Sequence, residues 1–289
     1  MEYFGCMEDK PDDRDFLVED VLGTTDIIVP EEFVIKVIDA KDQGAQKSTR
    51  VACTCYSTYH AAETMIEIAL KKEINSNPVK GWELQGLLGT RSANGDYVRT
   101  ALKSLVQNGL VTDDGVHMFG GFATLGNGSL SGIELKMKQA LYAGTPIITS
   151  IRIYENTSKG IRNGTLPSPE GKLVTGHAVT IIGYSKEGWL ILNSYGAKWG
   201  AYKNGTFWVL PFTNTKLLES LFILYPNKTN MIFDDIYDSS PNAKEIKQMK
   251  DLGIMKGTLE NRFEPDRPMT RREMAIVMSR MLAYLKPLN

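Results

Sequence analysis

Apolar side chains in the first half of the chain recur at intervals of three and four residues. Residues 53–72 follow this spacing with few β-branched positions, which predicts a helix. The same spacing over 95–108 and 133–142 predicts two more helices, which end at Gly109 and at the Ala-Gly-Thr-Pro turn of 143–146. The first half of the chain is therefore predicted to be mainly helical.

Short β-type runs dominate the part that follows. Gly, Asn and Pro residues separate four such apolar runs, which are 147–153, 178–184, 189–192 and 206–210. Ahead of the helices, 27–30 and 33–38 predict a strand that leads into the domain. Helices first and strands later predict an α+β fold with two lobes, so that a helical residue and a strand residue can meet in a cleft.

The pattern changes once more after a polar linker. An apolar run at 232–236 precedes helical spacing over 242–252 and 270–285. The chain is therefore predicted to have four parts: an acidic leader at 1–27, a main domain at 28–225, a linker at 226–231 and a small helical domain at 232–289. A unit of roughly 55 residues has a thin core, and the apolar residues expected in it are Ile246, Met249, Leu252, Ile254, Ile276, Val277 and Leu282.

Composition excludes several classes of function. The 289 residues carry a net charge of −1 and no basic stripe, so no nucleic acid partner is expected. No apolar run reaches membrane-spanning length, and the first residues show no signal peptide. Residues 1–32 hold eleven acidic side chains against Lys10 and Arg14; this leader either lies across a basic or polar groove or is a solvated tail.

The three cysteines indicate a free thiol rather than a structural framework. Cys53 and Cys55 are too close in sequence for a useful disulfide. The three histidines show no ligand spacing, so neither a metal nor another cofactor is expected.

One set of three residues has the types and order of a catalytic site. Cys53 opens the first predicted helix, His177 lies on a β-rich run, and Asn193 follows sixteen residues later on the next run. A helix N-terminus and a neighbouring imidazolium both lower the pKa of a thiol, which predicts a thiolate–imidazolium pair oriented by the asparagine amide. These residues suit a cysteine nucleophile, its base and its orienting group.

The motifs around these residues resemble the papain family of cysteine peptidases over about 28–225. Gly-His-Ala at 176–178 and Asn-Ser-Tyr-Gly-Ala-Lys-Trp-Gly at 193–200 match the C-terminal signature of that family. The resemblance implies Cys53 as nucleophile, His177 as base, Asn193 as orienter and Gln43 as the amide that donates to the oxyanion. It also implies these residues for substrate binding: Asn94, Gly95, Asp96, Gly176, Tyr195 and Trp199.

Three departures from the family pattern leave alternatives open. Gln43 stands ten residues before Cys53, farther than the family's glutamine, so Gln46 is a second candidate donor. Cys55 competes with Cys53 for the role of nucleophile. Tyr195 replaces the tryptophan that shields the histidine–asparagine bond, from which we expect a wetter bond.

The last part of the chain resembles one S-layer homology repeat over about 232–285. Thr270 and Glu273 have the spacing of a capping box, and the resemblance implies that Thr270, Arg271 and Glu273 help to bind an anionic secondary cell-wall polysaccharide. Such domains usually need three repeats. A single one predicts a homotrimer, unless the unit packs on its own peptidase domain as a monomer.

Two functions from different classes follow. The first is a cysteine endopeptidase that acts on a protein or peptide, held at a bacterial cell wall or S-layer outside the cell, or carried on a phage particle. The second is a structural or adhesive component with the same fold and little turnover. The Cys/His/Asn set favours the enzyme, and the absence of a visible signal peptide favours delivery by a phage particle or a shortened chain.

Overall fold

The computed structural model describes these residues: 5–12, 15–18, 28–35, 39–126, 129–211, 218–226, 231–233, 236–237, 242–258, 262–265 and 267–285. The chain divides into two compact units, which are 1–68 with 73–226, and 69–72 with 227–289. In the described part of the chain, no helix is both long and apolar enough to cross a bilayer.

The described helices of the first unit include the three predicted from spacing. Their bounds are α1 Cys53–Leu70, α2 Pro78–Gly86, α3 Val98–Asn108, α4 Leu130–Tyr142 and α5 Thr157–Arg162. Helix α1 ends before the predicted residue 72, because Lys71 adopts a positive φ of 50°. Sequence spacing missed α2, although Asn77 caps it through a side-chain bond to Lys80 N and Pro78 opens it.

The strands of the first unit lie mainly in its second half. They are β1 Cys6–Met7, β2 Phe16–Leu17, β3 Phe33–Val34, β4 Asp96–Tyr97, β5 Leu110–Thr112, β6 Gly115–His117, β7 Phe119–Thr124, β8 Ile147–Tyr154, β9 Leu173–Tyr184, β10 Trp189–Leu192, β11 Thr206–Val209 and β12 Leu218–Pro226. The largest sheet has the order β11-β10-β9-β8-β12-β7-β2, with β1 and β3 also paired to β9. The α+β fold with a helical part and a sheet part is confirmed.

Strand β9 lies at the centre of the site. It pairs antiparallel with β8, where His177 is opposite Ile151, and with β10 on its other edge. From His177 to Tyr184 every residue of β9 is buried, because neighbouring strands flank both edges and the core covers its faces. This arrangement fixes the direction of the His177 side chain.

The predicted leading strand is confirmed in part. Among its described residues, Phe33–Val34 forms a strand, which is paired with the end of β9 at Tyr184 and Gly183. Residues 28–30 are outside regular structure, while residue 27 and residues 36–38 lie outside the described residues. Pro30 has no backbone N–H for a sheet ladder, which weakens the first part of this prediction.

The second unit has its own small core. Its elements are β13 Met231–Phe233, β14 Ile236–Tyr237, α6 Ala243–Asp251 and α7 Arg271–Leu285. The buried cluster consists of Ile232, Phe233, Ile236, Ala243 and Ile246, with Phe263 packed against it.

Part of the expected core of this unit was wrong. Ile246 and Ile254 are buried, but Ile276 is 44% exposed and Leu282 is 59% exposed. Both lie on α7, a helix with no buried residue among those described. The β-hairpin and α6 supply the apolar cluster instead, so α7 adds little to it.

Candidate active site at the start of helix α1

The candidate nucleophile is at the first position of α1. A short 3₁₀ turn at Lys47–Thr49 brings the chain to this helix, and Tyr56 N donates to Ala52 O to begin it. The Ala178 N–H donates to Cys53 Sγ at 3.5 Å. The sulfur therefore lies beside the residue that follows His177, as the predicted constellation requires.

The candidate base and its orienter face each other across β9 and the end of β10. His177 Nε2 donates to Asn193 Oδ1 at 2.8 Å, and Ser194 N donates to the same oxygen at 2.8 Å. The shared acceptor fixes Nε2 as the protonated nitrogen of a neutral ring and leaves Nδ1 as the basic one.

Tyr195 shields this pair. Its ring stacks on His177 with centroids 5.3 Å apart and planes 13° apart, and Trp199 meets Tyr195 edge-on at 5.3 Å. His177 and Asn193 are both fully buried. The expectation of a wetter bond was wrong, because a tyrosine ring stacked on the imidazole also excludes water.

Of the two candidate oxyanion donors, Gln43 lies beside the turn that carries Asn193. It is fully buried, Ser194 Oγ donates to its Oε1, and its Nε2 donates to Arg50 O at 2.8 Å. Gln46 is exposed and precedes the 3₁₀ turn. Ser194 was missed as a positioning residue, although its place directly after Asn193 in the sequence motif was a usable signal.

Cys55 points into the helical lobe. Its S–H donates to Pro78 O at 3.5 Å, at the start of α2. Burial raises the pKa of this thiol strongly. The structure therefore brings Cys53, and not Cys55, to the strand that carries His177.

The predicted cleft wall at 94–96 is present as a tight loop. Asn94 is exposed, whereas the Asp96 carboxylate is buried and accepts from Gln85 Nε2 at 2.9 Å and Thr90 Oγ1 at 2.7 Å. These two hydrogen bonds hold the Asp96 carboxylate inside the helical lobe. Its backbone and that of Gly95 are the groups that face the cleft.

Residues 5–9, here called the N-terminal strap, occupy the cleft. Strand β1 pairs in parallel with β4 and antiparallel with β9 at Gly176, so it connects the two walls. Asp96 N donates to Gly5 O at 3.1 Å. A Cβ on Gly95 would lie 1.7 Å from Gly5 O, and one on Gly176 would lie 2.4 Å from Cys6 O. This part of the leader lies across a groove, the first of the two expected alternatives.

The strap changes the electrostatics of the site. Cys53 is fully buried, and burial raises the pKa of its thiol to about 11, although N–H groups of Ala178 and Gly5 oppose the shift. Burial lowers the pKa of His177 to about 4, against the effect of its bond to Asn193. The predicted thiolate–imidazolium pair is therefore not the state of the closed cleft.

The other histidines have local structural contacts. His60 Nε2 accepts from Lys41 N at 2.9 Å, and His117 Nε2 lies 3.2 Å from Asp114 Oδ1. Among the residues that the structure describes, no group of three His, Cys, Asp or Glu side chains is placed to hold a metal ion.

A second candidate site lies at the start of α7. Thr270 N donates to Glu273 Oε2 at 2.7 Å and Glu273 N donates to Thr270 Oγ1 at 3.2 Å, which is the predicted capping box. Arg267 also binds Glu273 and lowers the pKa of that carboxyl to about 2. Thr270 and Glu273 thus hold the helix start, next to an exposed Arg271.

Two family models match the chain. Residues 122–220 match the papain family cysteine protease model, and residues 232–275 match the S-layer homology domain model. A gut-specific cysteine proteinase of Caenorhabditis elegans is 36% identical over 64 residues, which are 21% of this chain and 19% of that protein. The match thus spans about a fifth of the length of this curated relative.

Solved structures show the same fold. Xylellain, a cysteine protease from Xylella fastidiosa, is 18% identical with a TM-score of 0.62, over 78% of this chain and 96% of that one. Procathepsin L2 from the larval midgut of Tenebrio molitor is 17% identical with a TM-score of 0.61, over 78% of each chain. The Carica candamarcensis cysteine protease in complex with E-64 is 19% identical with a TM-score of 0.53, over 69% of this chain and 100% of that one.

The pKa values of the closed cleft give a testable titration. The pKa of the Cys53 thiol is about 11 and the pKa of His177 is about 4, so neither group is charged at neutral pH. We expect the ultraviolet thiolate band to be the same in this chain and in a Cys53→Ala variant at neutral pH, and to differ only as the pH approaches 11. A thiolate band at neutral pH that the Cys53→Ala variant lacks would contradict this description.

Proposed function

Because the first unit is a papain-like cysteine protease domain and an S-layer homology domain follows it, we propose that the chain is a cysteine endopeptidase anchored at a bacterial cell surface. The observation that carries the proposal is the His177–Asn193 pair, whose strand also places a backbone N–H on the sulfur of Cys53. The proposed nucleophile, base and orienter lie at the start of α1, on β9 and directly after β10, an arrangement that suits peptide hydrolysis by a thiol.

Catalysis in this proposal begins once the strap has left the cleft. His177 Nδ1 takes the proton of the Cys53 thiol, and the sulfur attacks the peptide carbonyl carbon. Gln43 has two amide hydrogens, of which one reaches Arg50 O and the other is the proposed donor to the oxyanion. The C–N bond then breaks as His177 returns the proton to the leaving amine.

Hydrolysis of the thioester then releases the acyl group and restores the thiol. A water molecule gives a proton to His177 and attacks the thioester, and the C–S bond breaks as the proton returns to Cys53. Asn193 keeps the ring in one tautomer through both halves. It acts on orientation alone, so its loss should slow the reaction less than loss of His177.

Substitution of each α1 cysteine tests the assignment of the nucleophile. Cys53→Ala removes the attacking sulfur, so we expect peptide hydrolysis to be abolished. Cys55→Ala is the matched control: it removes a buried thiol two positions away that contacts α2, and much of the turnover should remain. Hydrolysis of a fluorogenic peptide by the full chain measures both. Activity retained by Cys53→Ala and lost in Cys55→Ala would overturn the assignment.

The second unit supports the surface anchoring. S-layer homology domains are associated with cell-wall polysaccharide, and in this chain the exposed Arg271 is the proposed contact with an anionic glycan. A planar guanidinium can bind a glycan carboxylate through two parallel hydrogen bonds. The proposed location is therefore outside the cell, at the wall or S-layer, with carriage on a phage particle as the alternative route.

The exposed apolar side chains of α7 support a homotrimer. Its large apolar side chains are between 43% and 62% exposed, and they are Met274, Ile276, Met278, Met281, Leu282, Tyr284 and Leu285. An apolar set of this size on one helix is unusual for a lone unit. We propose that the equivalent helices of two further copies cover it.

Light scattering on the full chain decides the oligomeric state. We expect the mass of three chains, and a Leu282→Glu variant, which places a charge among the exposed apolar side chains of α7, should lower this mass. A monomeric mass for the unchanged chain would rule out the trimer.

Sedimentation with purified cell walls tests the glycan contact separately. Arg271→Ala should weaken binding, whereas Lys256→Ala, which removes an exposed cation of the same unit, is the control. Equal binding by both variants would remove the anchoring role of Arg271.

One observation favours the non-enzymatic alternative, a structural or adhesive component. Cys53 is fully buried in this structure, and the backbone N–H of Gly5 in the strap lies against its thiol. If opening the cleft exposes Cys53 without producing hydrolysis, the structural function becomes the better account.

A further inference from the structure

His60 is a buried histidine to which the proposed reaction gives no role. It lies on α1, about two helical turns after Cys53, and it is 1% exposed. Its Nε2 accepts from the backbone N–H of Lys41 at 2.9 Å. Its Nδ1 is also buried and has no hydrogen-bond partner among the described residues. A buried imidazole with one unpartnered nitrogen costs free energy, so packing alone does not explain a histidine at this position.

The ring of His60 accepts this bond only while it is neutral, because an imidazolium carries donors on both nitrogens. Burial lowers the pKa of His60 to about 3, and the charge of Lys41 acts in the same direction. At neutral pH the ring therefore carries its single proton on Nδ1, and Nε2 is open to the N–H of Lys41.

Lys41 begins a short segment that runs beside the turn after β10. Its backbone O accepts from Gly196 N at 3.3 Å, and two residues further along Gln43 N donates to Ser194 O at 2.9 Å. Between these two bonds the segment and the turn are paired in antiparallel orientation. Residues 41–43, here called the oxyanion segment, are therefore bonded to that turn at both of their ends.

The side chain of Lys41 is bonded to the same helix as its backbone. Its Nζ lies 3.2 Å from Oε1 of the buried Glu63, which lies on α1 about one turn beyond His60. The same Nζ donates to Asn75 Oδ1 at 2.8 Å. Lys41 thus joins the oxyanion segment to the helix that begins at Cys53.

Other contacts of Gln43 lead to the loop before α1. Thr49 Oγ1 donates to Gln43 O at 2.7 Å, and Gln43 Nε2 donates to Arg50 O at 2.8 Å. Both partners lie in or directly after the 3₁₀ turn. The bond between Lys41 N and His60 adds a link to the body of α1, so it fixes the oxyanion segment relative to the helix as well as to the loop.

We propose that His60 is a positioning residue for the oxyanion site: by holding Lys41 on α1, it sets the place of Gln43. This inference rests on the proposed function, because it needs Gln43 to act as the donor. Such a donor must lie about 2.7–3.1 Å from the developing oxygen, and a displacement of about 1 Å can cost about a hundredfold in rate. A contact two helical turns from the sulfur therefore affects turnover without touching the substrate.

Two substitutions of His60 in the full chain test the proposal. His60→Leu has a similar size but no acceptor, so we expect kcat for a fluorogenic peptide to fall about tenfold or more, with KM changed less than about twofold. His60→Gln returns an acceptor, its side-chain oxygen, to the N–H of Lys41, and kcat should stay within about threefold of the unchanged chain. An equal fall in kcat for both variants, or a change in KM alone, would contradict the proposal.

Glu67→Leu is the matched control on the same helix. Glu67 Oε1 accepts from Ile74 N at 3.0 Å, so this variant also removes a buried acceptor from a loop N–H, but in a different loop. It should lower the free energy of unfolding in urea at least as much as His60→Leu does, because the lost bond is charge-assisted. A fall in kcat as large as that of His60→Leu would show an effect of stability and would overturn the proposal.

A double-mutant cycle tests whether His60 acts through Gln43. The proposed donor is absent from a Gln43→Ala variant, so adding His60→Leu to it should change kcat by less than about twofold. If the two losses in kcat multiply in full, His60 acts elsewhere and the proposal is wrong.

Hydrogen exchange gives a measurement that needs no substrate. His60→Leu should speed the exchange of the N–H groups of Gln43 and Gly196, which pair the oxyanion segment with the turn, and Glu67→Leu should leave both unchanged. Unchanged exchange in His60→Leu would overturn the positioning role whether or not the chain hydrolyses peptides. Faster exchange, together with no hydrolysis by the unchanged chain even when the cleft is open, would refute the proposed function while the link from His60 to the oxyanion segment stands.

Discussion

The buried hydrogen bond between His177 and Asn193 is the constraint on which the rest of the site depends. It selects the tautomer of the imidazole, and it requires β9 and the end of β10 to keep their register. Asn193 in turn is followed by Ser194, which positions Gln43, and by Tyr195, which covers the ring. One turn after β10 therefore positions the proposed base, the ring that covers it and the proposed oxyanion donor.

The same burial that protects the pair makes the closed cleft unreactive. With the strap in place, the thiol of Cys53 and the imidazole of His177 are both held in their neutral forms, because the charged forms would lose their solvation. A helix N-terminus and a nearby base are thus not sufficient for a thiolate. The protonation state of the two proposed catalytic groups therefore depends on how far water reaches the cleft.

Sequence reasoning succeeded where a residue's role depends on near neighbours in the chain. The start of α1 at Cys53, the stop at Gly109 and the Thr270 capping box are all confirmed, since local spacing or one cap determines each. The wrong expectations, such as a wetter His177–Asn193 bond and Ile276 in the core, depended on contacts between distant segments. The carboxylate of Asp9, which accepts from Val98 N and Arg99 N at the start of α3, is of this kind, because nothing near Asp9 in the sequence indicates that helix.

Covalent labelling with E-64 tests the central claim most directly. E-64 was found in complex with the Carica candamarcensis protease, and its epoxide reacts with an activated thiol. We predict that, in the full chain and most rapidly when the strap is released, the adduct maps to Cys53 and that His177→Ala prevents its formation. An adduct on Cys55 or Cys6, or labelling of Cys53 at the same rate without His177, would contradict the account.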